Sequence, residues 1–129
     1  TPPTARSTIV DQVLQDGERL DIVACAVFNG WRSNAVEISF ATEQGARQVM
    51  SRPFVQAIFD YAFNFACKYC VYSTVLPDND KAIKINETVG MKHVGAIPDF
   101  DGEGRDILLF SMSKKDWEAS RYNRKGRLQ

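Results

Sequence analysis

The chain is poor in side chains that bind metals: a single histidine, His93, and three cysteines in 129 residues. A four-ligand zinc site needs more donors than Cys25, Cys67, Cys70 and His93 supply at workable spacing, so no metal is expected. Cys67-Lys68-Tyr69-Cys70 is a lone CxxC. No thioredoxin-like βαβ pattern surrounds it, and ordinary buried thiols in a reducing compartment are the simpler expectation. Charge of one sign is missing too, because sixteen basic residues balance sixteen acidic ones. No global field advertises nucleic acid as the partner. Long hydrophobic runs are absent: nothing approaches the roughly 18–20 apolar residues of a bilayer span, and no secretory pattern opens the sequence. A cytoplasmic protein without a membrane partner is the resulting expectation.

What is present reads as one α+β domain over residues 1–129. Residues 1–7, with two prolines, form a loose leading segment. Strand patterns follow at 8–14, 20–28 and 34–42, separated by Asp16-Gly17 and Asn29-Gly30. Such pairs favour tight turns because they tolerate positive φ, so an antiparallel meander is predicted. The period then changes. From Pro53, apolar residues fall at Phe54, Val55, Ile58, Phe59, Ala62, Phe63 and Ala66, the spacing of one helical face. Proline is acceptable at the first helical position, with Ser51 or Arg52 as cap. A strand over 68–76 leads to Asp78 or Asn79, either of which can cap a helix over 80–88 with Ala82, Ile83 and Ile85 inward. Gly90 ends that helix. Strands at 93–97 and 106–112 flank a glycine-containing turn, and 118–129 reads as a basic, solvated tail. Trp31, Tyr61, Phe63 and Phe65 read as core or sheet-packing aromatics.

Two places could carry chemistry. The junction ahead of Pro53, flanked by Arg47 and Arg52, offers loop N–H groups running into a helix N-terminus, where an anion such as phosphate is favoured. It reads equally as a solvated basic loop. Glu37 alternates with Ser39 on the side of its strand opposite Val36, Ile38 and Phe40, which suits either solvent or a polar cleft. His93 is a natural proton shuttle by its intrinsic pKa, but a lone histidine on a strand is more simply structural or exposed.

The order of these pieces resembles the Gcn5-related N-acetyltransferase (GNAT) superfamily, in particular the short phage and bacterial proteins of the RimJ/RimL-like group. The basic loop 47–52, Tyr61-Ala62-Phe63, Asn79, Val89-Gly90-Met91 and the closing run 106–117 carry the resemblance. It implies a GNAT-like mixed, mostly antiparallel sheet with helices on its faces, the family's first strand and helices being shortened or missing. It further implies acetyl-CoA as co-substrate and an amine as acceptor, joined by direct attack. In that frame Glu37 is the general base, directly or through water. Backbone of Phe40, Ala41 and Thr42 polarises the acetyl carbonyl. Loop amides of Gln48, Val49, Met50, Ser51 and Arg52, with Arg47 beside them, hold the pyrophosphate, and Asn79 contacts pantetheine or holds a splayed strand end. Three departures stand out. Met50 and Arg52 replace glycines that let backbone approach phosphate without a Cβ in the way. Asn86 stands where a tyrosine often serves as general acid, and the family's N-terminal wall is missing. The rival implication is a non-catalytic GNAT-fold interaction or virion-associated protein, partnered by a second copy or a virion component. For a protein of phage origin the location is the host cytoplasm or the virion.

Overall fold

The computed structural model describes residues 7–15, 19–42 and 52–123, with side chains over 25–40 and 52–123. Three strands open the fold: β1 (Ser7–Gln15), β2 (Arg19–Asn29) and β3 (Ala35–Thr42). They pair antiparallel in sequence order, as the alternation and turn signals predict. The Asn29-Gly30 turn holds Gly30 at φ +61, a conformation that favours glycine. The Asp16-Gly17 turn lies outside the described residues.

Helix α1 (Arg52–Asp60) crosses over to β4 (Cys70–Val75). Every residue of its expected apolar face is buried: Phe54, Val55, Ile58, Phe59, Ala62, Phe63 and Ala66. The last turn, Tyr61–Phe65, widens to π geometry. Phe65, expected in the packing, instead points out and is 74% exposed. A π segment adds a residue to the turn and so breaks the simple 3.6 period beyond it.

After β4 come α2 (Asp80–Thr88), β5 (Lys92–Ile97), β6 (Ile107–Ser113) and a last short helix, α3 (Lys114–Ala119). Asn79 is the N-cap of α2, its Oδ1 accepting from Ala82 N at 3.1 Å. The sheet order is β1-β2-β3-β4-β6-β5, and only the β3–β4 pair is parallel. This is a mixed, mostly antiparallel sheet in an α+β fold.

One core fills one face of the sheet. Ala26, Phe28, Val36, Ile38, Val71, Val75, Phe110 and Met112 share that face and meet α1, α2 and α3. The opposite face, bearing Val27, Asn29, Glu37, Tyr72, Thr74, Leu109 and Ser111, is half-buried and carries no helix among the described residues.

The C-terminal stretch also differs from a free tail. Residues 114–123 fold back onto the core, burying Trp117 and Tyr122. Arg52 donates from Nη1 and Nη2 to the carbonyl of Arg121 at 3.0 and 3.1 Å, and Gln56 Nε2 donates to the carbonyl of Tyr122 at 2.7 Å. Residues 124–129 lie outside the described ones. Burial of all three thiols does not hold either: Cys67 is exposed, at φ +59, while Cys25 and Cys70 are half-buried. His93 is exposed, with its ring against Phe110.

Candidate functional site

The parallel ladder between β3 and β4 is short: Ala35–Cys70, Val36–Val71 and Glu37–Tyr72, and then it stops. Both strands continue beyond that point. β3 stays paired to β2 as far as Thr42, and β4 stays paired to β6 as far as Val75. The two strands therefore diverge, each held by its outer neighbour. A sheet interior that forgoes a ladder leaves backbone N–H and C=O groups facing a gap, where something else must satisfy them.

That gap is a cleft of about 260 Å³. One wall is Ile38, Ser39 and Phe40, the other is Ser73 to Leu76, and α2 contributes Asn79, Ala82 and Asn86. Sequence placed Phe40 and Asn79 at such a cleft. Ala41 and Thr42 continue β3 past the divergence, paired on the other side with Cys25 and Ala24.

Glu37 occupies the last paired position, at the vertex. Its Oε2 accepts a hydrogen bond from Thr74 Oγ1 at 3.1 Å, and the side chain is half-buried. Thr74 itself lines the cleft. The threonine hydroxyl thus joins the carboxylate to the opening between the strands. Arg32, in the turn before β3, has its basicity raised above the ordinary arginine value chiefly by Tyr72, with a smaller contribution from the Glu37 carboxylate. Neither Thr74 nor Arg32 is singled out by sequence. The parity Tyr72, Thr74 on β4 is visible, but only the parallel register brings it beside Glu37.

Asn86, at the position where the resemblance places a tyrosine, is buried. It accepts from Ser73 Oγ at 2.6 Å and donates from Nδ2 to the carbonyl of Ala82 at 2.8 Å. An amide held at both ends is a fixed polar wall of the cleft and has no proton to release. It lies on the inward side of α2 beside Ile85.

Arg52 starts α1, but its guanidinium is committed to the C-terminal segment and lies 5.8 Å from the Tyr122 ring. What it could offer an anion is its backbone N–H at the helix start. Arg47, Gln48, Val49, Met50 and Ser51 lie outside the described residues. No group of three or more metal-ligating side chains gathers among the described residues.

Buried Lys68 was also unforeseen. It is 1% exposed, and its Nζ donates to the carbonyls of Arg32 and Ser33 at 2.8 and 3.1 Å. It fastens the end of the π segment to the turn that carries Arg32. None of the described helices is long and apolar enough to cross a membrane.

No protein-family model and no curated protein sequence matches the chain. Solved structures do. The spermidine/spermine N-acetyltransferase SpeG from Vibrio cholerae, in mutant forms, aligns at TM-score 0.70 and 17% identity over 92% of this chain and 73% of its own. A GNAT-family acetyltransferase from Bacillus anthracis aligns at TM-score 0.61 and 18% identity, over 73% of this chain and 60% of its own. The ribosomal-protein-S5-alanine acetyltransferase from Vibrio fischeri aligns at TM-score 0.61 and 18% identity, over 74% and 56%. The chain spans less than two thirds of the length of the last two. At these identities the likeness is one of fold.

Proposed function

We propose, from the premise that this chain has the fold of the GNAT acetyltransferases, that it is an acetyl-CoA-dependent N-acetyltransferase acting by direct attack of an amine. The observation that carries the reading is the divergence of β3 and β4 immediately after the Glu37–Tyr72 pair. It leaves strand backbone exposed to an extended, amide-bearing ligand such as a pantetheine arm, with a carboxylate at the vertex. A scaffold with no ligand to hold would lose nothing by completing the ladder.

In this reading backbone N–H on β3, at Phe40, Ala41 and Thr42, polarises the acetyl carbonyl. Glu37 withdraws the proton from the incoming ammonium, through Thr74 or a water, because only the neutral amine is a nucleophile. The nitrogen bonds to the carbonyl carbon as the carbon–sulfur bond breaks. The departing thiolate takes its proton from solvent or from the nitrogen, since Asn86 cannot supply one. Loop 47–51 and the N–H of Arg52 hold the pyrophosphate, with the Arg47 side chain beside it, and Asn79 closes the far end of the cleft. The coenzyme contributes the activated acyl group, and no metal takes part.

Calorimetric titration with acetyl-CoA, CoA and dephospho-CoA tests this. Micromolar binding of acetyl-CoA and CoA is expected, weakened by Arg47→Ala. Folded protein that binds none of the three refutes the reading. The fold would then work through its surfaces, as a non-catalytic interaction protein, and a second copy or a virion component would be the partner to seek.

A further inference from the structure

Helix α2 lays one row of residues along the cleft: Asn79, Ala82 and Asn86. The helix from Asn79 to Asn86 and the strand from Ser73 to Leu76 each span roughly 10 Å, so the two run side by side. At the far end Asn79 N donates to the carbonyl of Leu76 at 3.0 Å. At the other end Asn86 meets Ser73, the first residue of β4 beyond the last β3–β4 pair. Asn86 therefore stands at the vertex end of the cleft. Glu37 is at the same level but shares the face of its partner Tyr72, the face opposite that of Ser73. Ser73 and Asn86 are each 2% exposed. The amide spends its Oδ1 on Ser73 and one Nδ2 hydrogen on the carbonyl of Ala82. An amide nitrogen carries two hydrogens, so one N–H of a buried side chain bordering the cleft is left to spend.

We infer that Asn86 acts on the leaving group: its spare N–H donates a hydrogen bond to the coenzyme sulfur as the carbon–sulfur bond breaks. This deepens the acetyltransferase reading above and rests on it. For Glu37 to serve the attacking amine the thioester must lie at the vertex, and that is the Asn86 end of the cleft. Glu37 takes the ammonium proton before attack. The nitrogen lone pair then forms the carbon–nitrogen bond, and the carbon–sulfur electron pair leaves on sulfur as a thiolate. The nitrogen sheds its surplus proton after bond formation, and that proton or one from solvent restores the thiol. The amide stabilises the departing anion without transferring a proton to it. Its two other hydrogen bonds hold it in place, so the donor is preorganised and nothing has to turn at the moment of reaction. Base and donor approach the acyl carbon from opposite faces of the sheet, so neither blocks the other.

The test follows thiol release from acetyl-CoA, with hydroxylamine and with spermidine as nucleophiles, in the parent, Asn86→Leu and Ser73→Ala/Asn86→Leu. The double variant removes both partners of the buried pair, so no orphaned hydroxyl is left to unfold it. Affinities for acetyl-CoA and CoA are measured calorimetrically on the same samples at pH 9, where a thiol is partly ionised. In both variants kcat should fall about tenfold to a hundredfold, below the range for a lost oxyanion-hole donor because sulfur is the weaker acceptor. Acetyl-CoA affinity should stay within about twofold, since the bond is made only as charge develops, while CoA affinity drops about threefold or more. A residue that merely shaped the wall would weaken both ligands in parallel, and that result overturns the inference. So does an unmoved kcat, or a parent that binds acetyl-CoA yet releases thiol with neither nucleophile. Failure of the parent to bind acetyl-CoA removes the underlying reading as well, which keeps the two failures distinct.

Discussion

Trp117 offers a stability test in which two opposed effects can be sized. The indole is 2% exposed, sits 5.2 Å from the Phe59 ring, and carries an Nε1–H with no acceptor among the described residues. Trp117→Ala removes the whole ring, and large-to-small changes of this kind cost about 3–5 kcal/mol. Trp117→Phe keeps most of the ring and deletes the unsatisfied donor, whose burial costs about 1–3 kcal/mol. The smaller ring loses packing of comparable size, so the net change should lie within about 1 kcal/mol of zero. Urea unfolding followed by far-ultraviolet circular dichroism separates the two. With slopes of about 1–3 kcal/mol per molar, the alanine variant should lose on the order of 2 M in midpoint while the phenylalanine variant scarcely moves. If Trp117→Phe proves nearly as damaging as Trp117→Ala, the indole N–H is satisfied in solution and the argument from its burial fails.

Three further outcomes follow from the site and its surroundings. Glu37→Gln should lower kcat by about 10²–10⁴, the range for a lost general base, while calorimetry still detects acetyl-CoA; unchanged turnover would remove Glu37 from the mechanism. Arg105 chiefly, with the Glu103 amide, holds the Asp101 carboxyl below its ordinary value. A carboxylate of lowered pKa stabilises above its unfolded value and loses that contribution as pH falls through its folded one. The 99–106 hairpin should therefore stay ordered until the pH drops below the ordinary aspartate range of about 3.9. Amide shifts of Glu103 and Arg105 would report a midpoint lower still, and a midpoint above 3.9 contradicts the assignment. Finally, burial pushes the Cys70 thiol up while Cys67 is exposed. Alkylation near pH 8, read by peptide mass spectrometry, should label Cys67 well before Cys70 because the thiolate is the reactive form; equal rates would mean the segment around Cys70 opens readily.

Much of the fold was legible because it rests on local rules. The α1 face was readable from spacing alone, and the Asn79 cap and the Gly90 stop, at φ +101, from residue type. What escaped notice depends on contacts distant in sequence. Lys68 reads only as the start of a strand until the turn at Arg32 and Ser33 supplies two carbonyls for it. The resemblance marks the position of Asn86, but its partner Ser73, thirteen residues away, is not legible from residue type. Residues 118–123 read as tail until Arg52 and Gln56 bind the carbonyls of Arg121 and Tyr122. Of the candidate site, Glu37 was nominated by alternation and the family resemblance together, whereas Thr74 and Arg32 required the parallel register. The phosphate loop stays where sequence put it, as a proposal.

The sheet is in effect two stiff plates joined by a narrow seam. Six backbone pairs bind β2 to β3 and six bind β4 to β6, but only three, at one end, bind β3 to β4. A plate fixed along one short edge bends there before it bends anywhere else. Backbone hydrogen bonding alone therefore leaves the β1–β3 and β4–β6 plates apart beyond the Glu37–Tyr72 pair, and the shared core beneath them is what holds their angle. Any molecule lodged between the plates then acts as a wedge of set thickness, adding to what the core fixes at the place where the seam has no hydrogen bonds.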